Sequence, residues 1–134
     1  MAAKKDLRIY PAVFFHDDDA ICVEFPDLPG CVTFGETMEE ALESAKEALE
    51  GFLYGMEQDD DPIPPPTPFD KIAVEKGGVL MAIAVRMDIV REEEAHRSIT
   101  KSVTIPAYLN KLGIENNLNF SSILQEGLKE RLGV

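Results

Sequence analysis

At 134 residues and 45% hydrophobic, the chain has room for one ordinary core, or for a small core with a dimerising appendage, and two large domains are excluded. The net charge of −12 is unevenly spread: residues 1–97 carry 9 Lys/Arg against 22 Asp/Glu, a balance of −13, while residues 98–134 carry 4 against 3, or +1. A body this acidic repels nucleic acid and attracts a basic partner, although solubility alone also accounts for such a charge; no stretch is long enough to span a bilayer.

In chain order, Met1-Ala2-Ala3-Lys4-Lys5-Asp6 lacks the apolar run of an export signal and leads directly into an alternating strand, so a cytoplasmic chain is expected. Leu7–Phe15 and Ala20–Phe25 read as strands joined by the turn Asp17-Asp18-Asp19, and a third strand, Cys31–Phe34, follows the turn Pro26-Asp27-Leu28-Pro29-Gly30. This is a three-stranded meander. Asp27 is expected to cap its own turn, and Cys22 and Cys31 read as reduced, small core residues.

Thr37-Met38-Glu39-Glu40 is a capping box opening a helix whose apolar stripe is Met38, Ala41, Leu42, Ala45, Ala48, Leu49, Phe52, Leu53 and Met56. Glu39, Glu43, Glu47 and Glu50 lie away from that stripe and make one helix face anionic. Asp59-Asp60-Asp61 and Pro62-Ile63-Pro64-Pro65-Pro66-Thr67-Pro68 end the helix and continue as a stiff, extended connector. The apolar run from Val79 to Asp88 reads as a buried strand returning to the sheet, and Arg91–Arg97 as a polar hinge.

The last stretch carries the strongest local pattern. In Thr100–Ile105, Val103 and Ile105 share one face of an extended chain and Thr100, Ser102 and Thr104 the other. Pro106 stops the strand, Ala107–Leu112 reads as a short helix ended by Gly113, and Asn119 or Ser121 caps a second helix from Phe120 to Leu132, ended by Gly133. One strand with open edges and two short helices bury too little to stand alone. Pairing with a second copy would form an antiparallel ribbon, with Val103, Ile105, Leu109, Ile123 and Leu124 as the dimer core and a hydroxyl face suited to the major groove. An edge strand and helical hairpin within a larger domain is the plainer alternative.

The strand-Pro-helix order and the Asn119-Phe120-Ser121-Ser122 helix start resemble the ribbon-helix-helix family of dimeric bacterial DNA-binding proteins. That resemblance implies that Thr100, Lys101, Ser102 and Thr104 meet DNA, and that Asn119, Phe120 and Ser121 hold a phosphate at the helix N-terminus. The front half is similar to the HicB antitoxin family. The resemblance rests on Tyr10-Pro11-Ala12-Val13, Phe25-Pro26-Asp27-Leu28-Pro29-Gly30-Cys31, Gly35-Glu36-Thr37-Met38-Glu39-Glu40-Ala41 and Ile63-Pro64-Pro65-Pro66. It implies an α+β fold: a partial RNase H-like, toxin-binding domain over residues 1–90, a hinge at 91–97, and a ribbon-helix-helix domain over 98–134. It also implies an antitoxin that silences a HicA-type ribonuclease toxin, represses its own operon at operator double-stranded DNA, and dimerises through the ribbon, with a tetramer if front domains bridge two dimers. Glu39, Glu43, Glu47 and Asp27 are the candidate toxin contacts.

Catalysis is not expected. Two-metal phosphodiester cleavage needs carboxylates converging from several elements, whereas the first strand has none and the side chains of Asp17, Asp18 and Asp19 diverge in a turn beside His16. No metal, cofactor or catalytic set is expected. A stand-alone repressor with a ligand-sensing front domain and a metal-dependent nuclease using Asp17–Asp19 are the competing classes.

Overall fold

The computed structural model describes residues 6–134; residues 1–5, read above as a non-signal lead into the first strand, lie outside the described residues. The chain separates into two units, one ending at Arg97 and one running from Ser98 to Val134.

In the first unit, β1 (Leu7–Asp17), β2 (Ala20–Glu24), β3 (Val32–Gly35) and β4 (Val79–Arg86) form a four-stranded antiparallel sheet in the order β3-β2-β1-β4. The length of β1 makes this possible, since it pairs with β2 over Val13–Asp17 and with β4 over Leu7–Phe14. Period-two alternation turns Tyr10, Ala12, Phe14, Ile21, Val23, Ile83 and Val85 into the core. Across them lies α1 (Met38–Gln58), whose buried residues Ala41, Ala45, Leu49 and Leu53 recur at four-residue spacing. Met38 and Leu42, expected in the same stripe, stay exposed at its margin.

Gly35 sets how closely the sheet meets this helix. A Cβ there would lie 2.3 Å from the Ala41 nitrogen, so β3 can run into the start of α1 only without a side chain. β3 is also shifted one residue from the expected Cys31–Phe34. Cys31 instead closes the preceding turn, where its N–H donates to the Leu28 carbonyl at 2.9 Å and its carbonyl accepts from Phe25 N–H at 3.1 Å.

The segment expected as a hinge is helical. β4 gives way at Met87 to α2 (Met87–His96), which adds Met87 and Val90 to the core of the first unit. The run Glu92-Glu93-Glu94 conceals this two-residue apolar stripe. Arg91 then fixes the helix: its guanidinium donates to both Glu57 oxygens, at 2.9 and 2.7 Å, and to Asp6 at 2.6 Å. A planar fork suits a bidentate carboxylate, and here one cation joins α2, the end of α1 and the approach to β1.

In the second unit, residues 98–106 carry no strand ladder among the described residues, including the expected strand Thr100–Ile105. A strand is defined by a partner, and a single chain supplies none here. α3 (Ala107–Glu115) and α4 (Phe120–Leu132) follow. Gly113 does not end α3; it lies inside the helix and is buried, because a Cβ at that position would stand 2.5 Å from the Phe120 ring. The stop comes at Asn116, whose side chain donates to the Leu112 carbonyl at 2.7 Å, and at Asn117, which adopts φ 53°. Of the two candidate caps for α4, Asn119 serves, with its Oδ1 accepting from Ser122 N–H at 3.0 Å, and Gly133 closes the helix at φ 73°.

The Arg91 hydrogen bonds hold the Glu57 carboxyl below its ordinary range, against the opposing push of partial burial. A folded-state pKa lowered in this way adds stability that is present above the ordinary carboxylate pKa and is lost as the pH falls through the lowered one. Glu57→Gln is expected to lower stability by about 1–2 kcal/mol at pH 7 and to flatten its decline in acid, read by urea unfolding at a series of pH values. An unchanged acid slope would contradict the role given to Arg91.

Candidate functional site: an acidic flank and an unpaired tail

The first candidate surface grows from the start of α1. Thr37 Oγ1 accepts from Glu40 N–H at 3.2 Å, and Glu40 Oε2 accepts from Glu36 N–H at 3.0 Å, so the capping box shapes the chain from Glu36 onward. Its acidic side chains then fall beside β3. Phe34, Gly35, Glu36, Glu40, Glu43, Ser44 and Glu47 line a shallow hollow of about 440 Å³, with the Phe34 ring 63% exposed at the sheet edge.

Of the expected toxin contacts, Glu43 and Glu47 line this hollow, whereas Glu39 is exposed in the first turn of α1 outside it. Sequence reading missed Glu36, Glu40 and Phe34; the signal available was the pair Val32 and Phe34, both turned outward on an edge strand. Glu50 leaves the anionic face altogether. It is half-buried, and desolvation pushes its carboxyl up, with Lys46 opposing and Glu93 and Glu47 adding to the rise.

Asp27 does not cap its own turn. Its carboxylate accepts from Thr67 N–H at 2.9 Å and from the Thr67 hydroxyl, forty residues further along the chain. The turn closes without it, through backbone bonds from Leu28 N–H to the Phe25 carbonyl and from Cys31 N–H to the Leu28 carbonyl. Asp27 is therefore a clamp on the proline connector, with both oxygens engaged. A second clamp is the Tyr10 hydroxyl, which donates to the Pro64 carbonyl; burial pushes this phenol up, with Arg8 opposing and Asp27 adding.

In the tail, Thr100, Lys101, Ser102, Val103, Thr104 and Ile105 are all exposed. So are the expected dimer-core residues of the helices, with Leu109 at 46%, Ile123 at 47% and Leu124 at 38%. Gly113 is the one buried residue between Ser98 and Val134. Asn119 engages Ser122 N–H, and the exposed N–H groups of Phe120 and Ser121 at the start of α4 have no partner among the described residues, as in the first turn of any helix. The Phe120 side chain itself packs on Gly113.

Asp17, Asp18 and Asp19 are exposed around the β1–β2 turn, with Asp18 at φ 54°, and no group of three or more His, Cys, Asp or Glu among the described residues is placed to hold a metal ion. Cys22 and Cys31 are free thiols; Cys31 is buried against the Ala48 carbonyl, and desolvation pushes its thiol up to about 11. No described helix is long and apolar enough to cross a membrane.

These features define a mixed α+β protein that combines an acidic sheet-and-helix unit with a weakly buried helical tail. The family described as "HicB_like antitoxin of bacterial toxin-antitoxin system" matches residues 10–126, and the chain belongs to it. An uncharacterised 14.9 kDa protein from Haemophilus phage HP1 is 36% identical over 63 residues, covering 47% of each chain. Antitoxin HicB 2 of Photorhabdus laumondii is 49% identical over 45 residues, which is 34% of this chain and 32% of that protein. The matches thus span half or less of these relatives. Among solved structures, a chain of a toxin-antitoxin complex from Streptococcus pneumoniae is 27% identical with a TM-score of 0.61, covering 93% of this chain and 99% of that one.

Asp27→Ala is expected to free the proline connector at the cost of about 1–3 kcal/mol, as both Thr67 donors lose a charged acceptor. Faster amide hydrogen exchange at Thr67, with little change at Leu28 and Cys31, is the expected reading. Faster exchange confined to the Pro26–Gly30 turn would return Asp27 to a local cap.

Proposed function

We propose that the chain neutralises a HicA-type mRNA-cleaving toxin with its front unit and represses its own operon by holding operator DNA with paired tails. The front unit is read as a partial RNase H-like domain and residues 98–134 as a ribbon-helix-helix domain, and both act in the cytoplasm. The observation that carries the reading is the division of charge and burial within one chain. The −13 balance falls on the unit that buries a core, whereas the part with a balance of +1 leaves every one of its large apolar side chains exposed.

On this reading the front unit works by covering a surface. A basic RNA-binding face meets Glu36, Glu43 and Glu47 beside the exposed Phe34 ring, and opposite charges raise the rate of encounter. The neighbour taken from a toxin-antitoxin complex supports a toxin as the partner. In the tail, two copies of residues 100–105 pair antiparallel, Val103 and Ile105 turn onto Leu109, Ile123 and Leu124, and Thr100, Ser102 and Thr104 face the bases. Lys101 and the N–H groups of Phe120 and Ser121 hold phosphates. Two such dimers joined through their front units would form a tetramer clamping neighbouring half-sites.

The direct test is growth. Coexpression of this chain with a HicA-type toxin is expected to restore growth that the toxin alone arrests, and continued arrest with the chain present in soluble form would contradict the reading. For the DNA half, Lys101→Ala is expected to weaken specific and random DNA alike and to lower the logarithmic salt slope by about 2 for a dimer, at roughly 0.9 per phosphate. Thr104→Ala is expected to reduce base selectivity alone. Equal losses for both variants on specific and random DNA would contradict the assignment of faces.

A further inference from the structure

A second recess lies at the other end of α1 from the acidic hollow. Leu28, Pro29, Phe52, Met56, Ile63 and Pro65 line an apolar groove of about 560 Å³ between the Pro26–Gly30 turn, the end of α1 and the proline connector. The acidic hollow is lined by residues 34–36 and the first half of α1, this groove by residues 27–29 and the last turns of α1.

The groove is built to keep its shape. The Asp27–Thr67 bonds and the Tyr10–Pro64 bond tie the connector down, and Pro62, Pro64, Pro65 and Pro66 limit its backbone. A wall fixed before binding loses little freedom when an occupant arrives. Phe52 and Met56 are half-buried on its α1 side, and a thioether beside an aromatic ring adapts to the shape of an incoming apolar group.

Charge next to the groove selects the occupant. Asp59, Asp60 and Asp61, all exposed, connect the groove residues Met56 and Pro62. Asp59 N–H donates to the Gly55 carbonyl at 3.0 Å and Asp61 N–H to the Met56 carbonyl at 2.9 Å, which folds the acidic run back on the helix end. An uncharged apolar molecule gains nothing from three carboxylates at its side, whereas a basic protein does. We propose that this groove is the anchor pocket of the antitoxin: it takes an apolar side chain of the basic toxin, flanked there by Lys or Arg that meets Asp59–Asp61. The proposal rests on the antitoxin reading and gives it a location. A central apolar anchor beside a charged surface is the arrangement in which a few residues dominate binding.

The test titrates full-length protein with the purified basic protein of the neighbouring gene by calorimetry. Met56→Glu is expected to weaken binding by about tenfold or more, since it places a charge in the pocket. Pro65→Glu, at an exposed wall position, reports on the same pocket should Met56→Glu lower the melting temperature. Combined Asp59→Asn, Asp60→Asn and Asp61→Asn is expected to weaken binding in low salt and to match the parent protein in high salt. Glu92→Gln, on the exposed side of α2, should bind as the parent does. Full affinity in folded Met56→Glu and Pro65→Glu proteins would overturn the pocket while leaving the antitoxin reading intact. Loss in the groove variants with no salt-dependent loss in the Asn variant would retain the anchor and overturn its basic flank. If the parent protein itself bound no toxin, the antitoxin reading and the pocket would fall together.

Discussion

The account depends on an apolar surface that one copy of the tail leaves uncovered. Val103, Ile105, Leu109, Leu112, Ile123, Leu124 and Leu128 each remain more than a third exposed. At roughly 25 cal/mol per Å², side chains of this kind are a strong drive to associate once a matching surface is available. The extended residues before α3 add a second drive, because an unpaired strand edge offers N–H and C=O groups to any complementary strand. In the proposed dimer a second copy would satisfy both demands with one symmetry operation.

The front unit solves its own burial. A sheet with one buried face, a helix with an alanine-rich stripe and a short second helix leave no buried polar side chain without a partner among the described residues. What it leaves to other molecules is charge and shape: acidic side chains on α1, an outward Phe34 and a groove braced by the Asp27–Thr67 bonds. Because this half is held together by its own core, its flank is free to serve a protein partner in the proposed function, which leaves DNA to the tail.

Much of this was legible in the sequence wherever the determinant is local. The Thr37–Glu40 capping box, the Ala41–Leu53 part of the α1 stripe, the Asn119 cap and the Gly133 stop each lie within one or two helical turns of what they control, and the structure has each there. Determinants that act across the chain were not legible. Asp27 is fixed by Thr67, Arg91 by Glu57 and Asp6, and Gly113 by the Phe120 ring, none of which a local pattern reveals. The hinge over 91–97 failed for the same reason, since an acidic run reads as loop until the apolar surface under Met87 and Val90 is known. The acidic flank was legible in part, with Glu43 and Glu47 foreseen, but its β3 contribution depends on which edge of the sheet is open.

Sedimentation equilibrium of the full-length protein at micromolar concentration tests the central claim most directly. The account predicts twice the chain mass or a higher even multiple, reduced to the single chain when Val103 and Ile105 are both replaced by Asp. A parent protein that sediments as one chain, or a doubly substituted protein that keeps the parent mass, would contradict it.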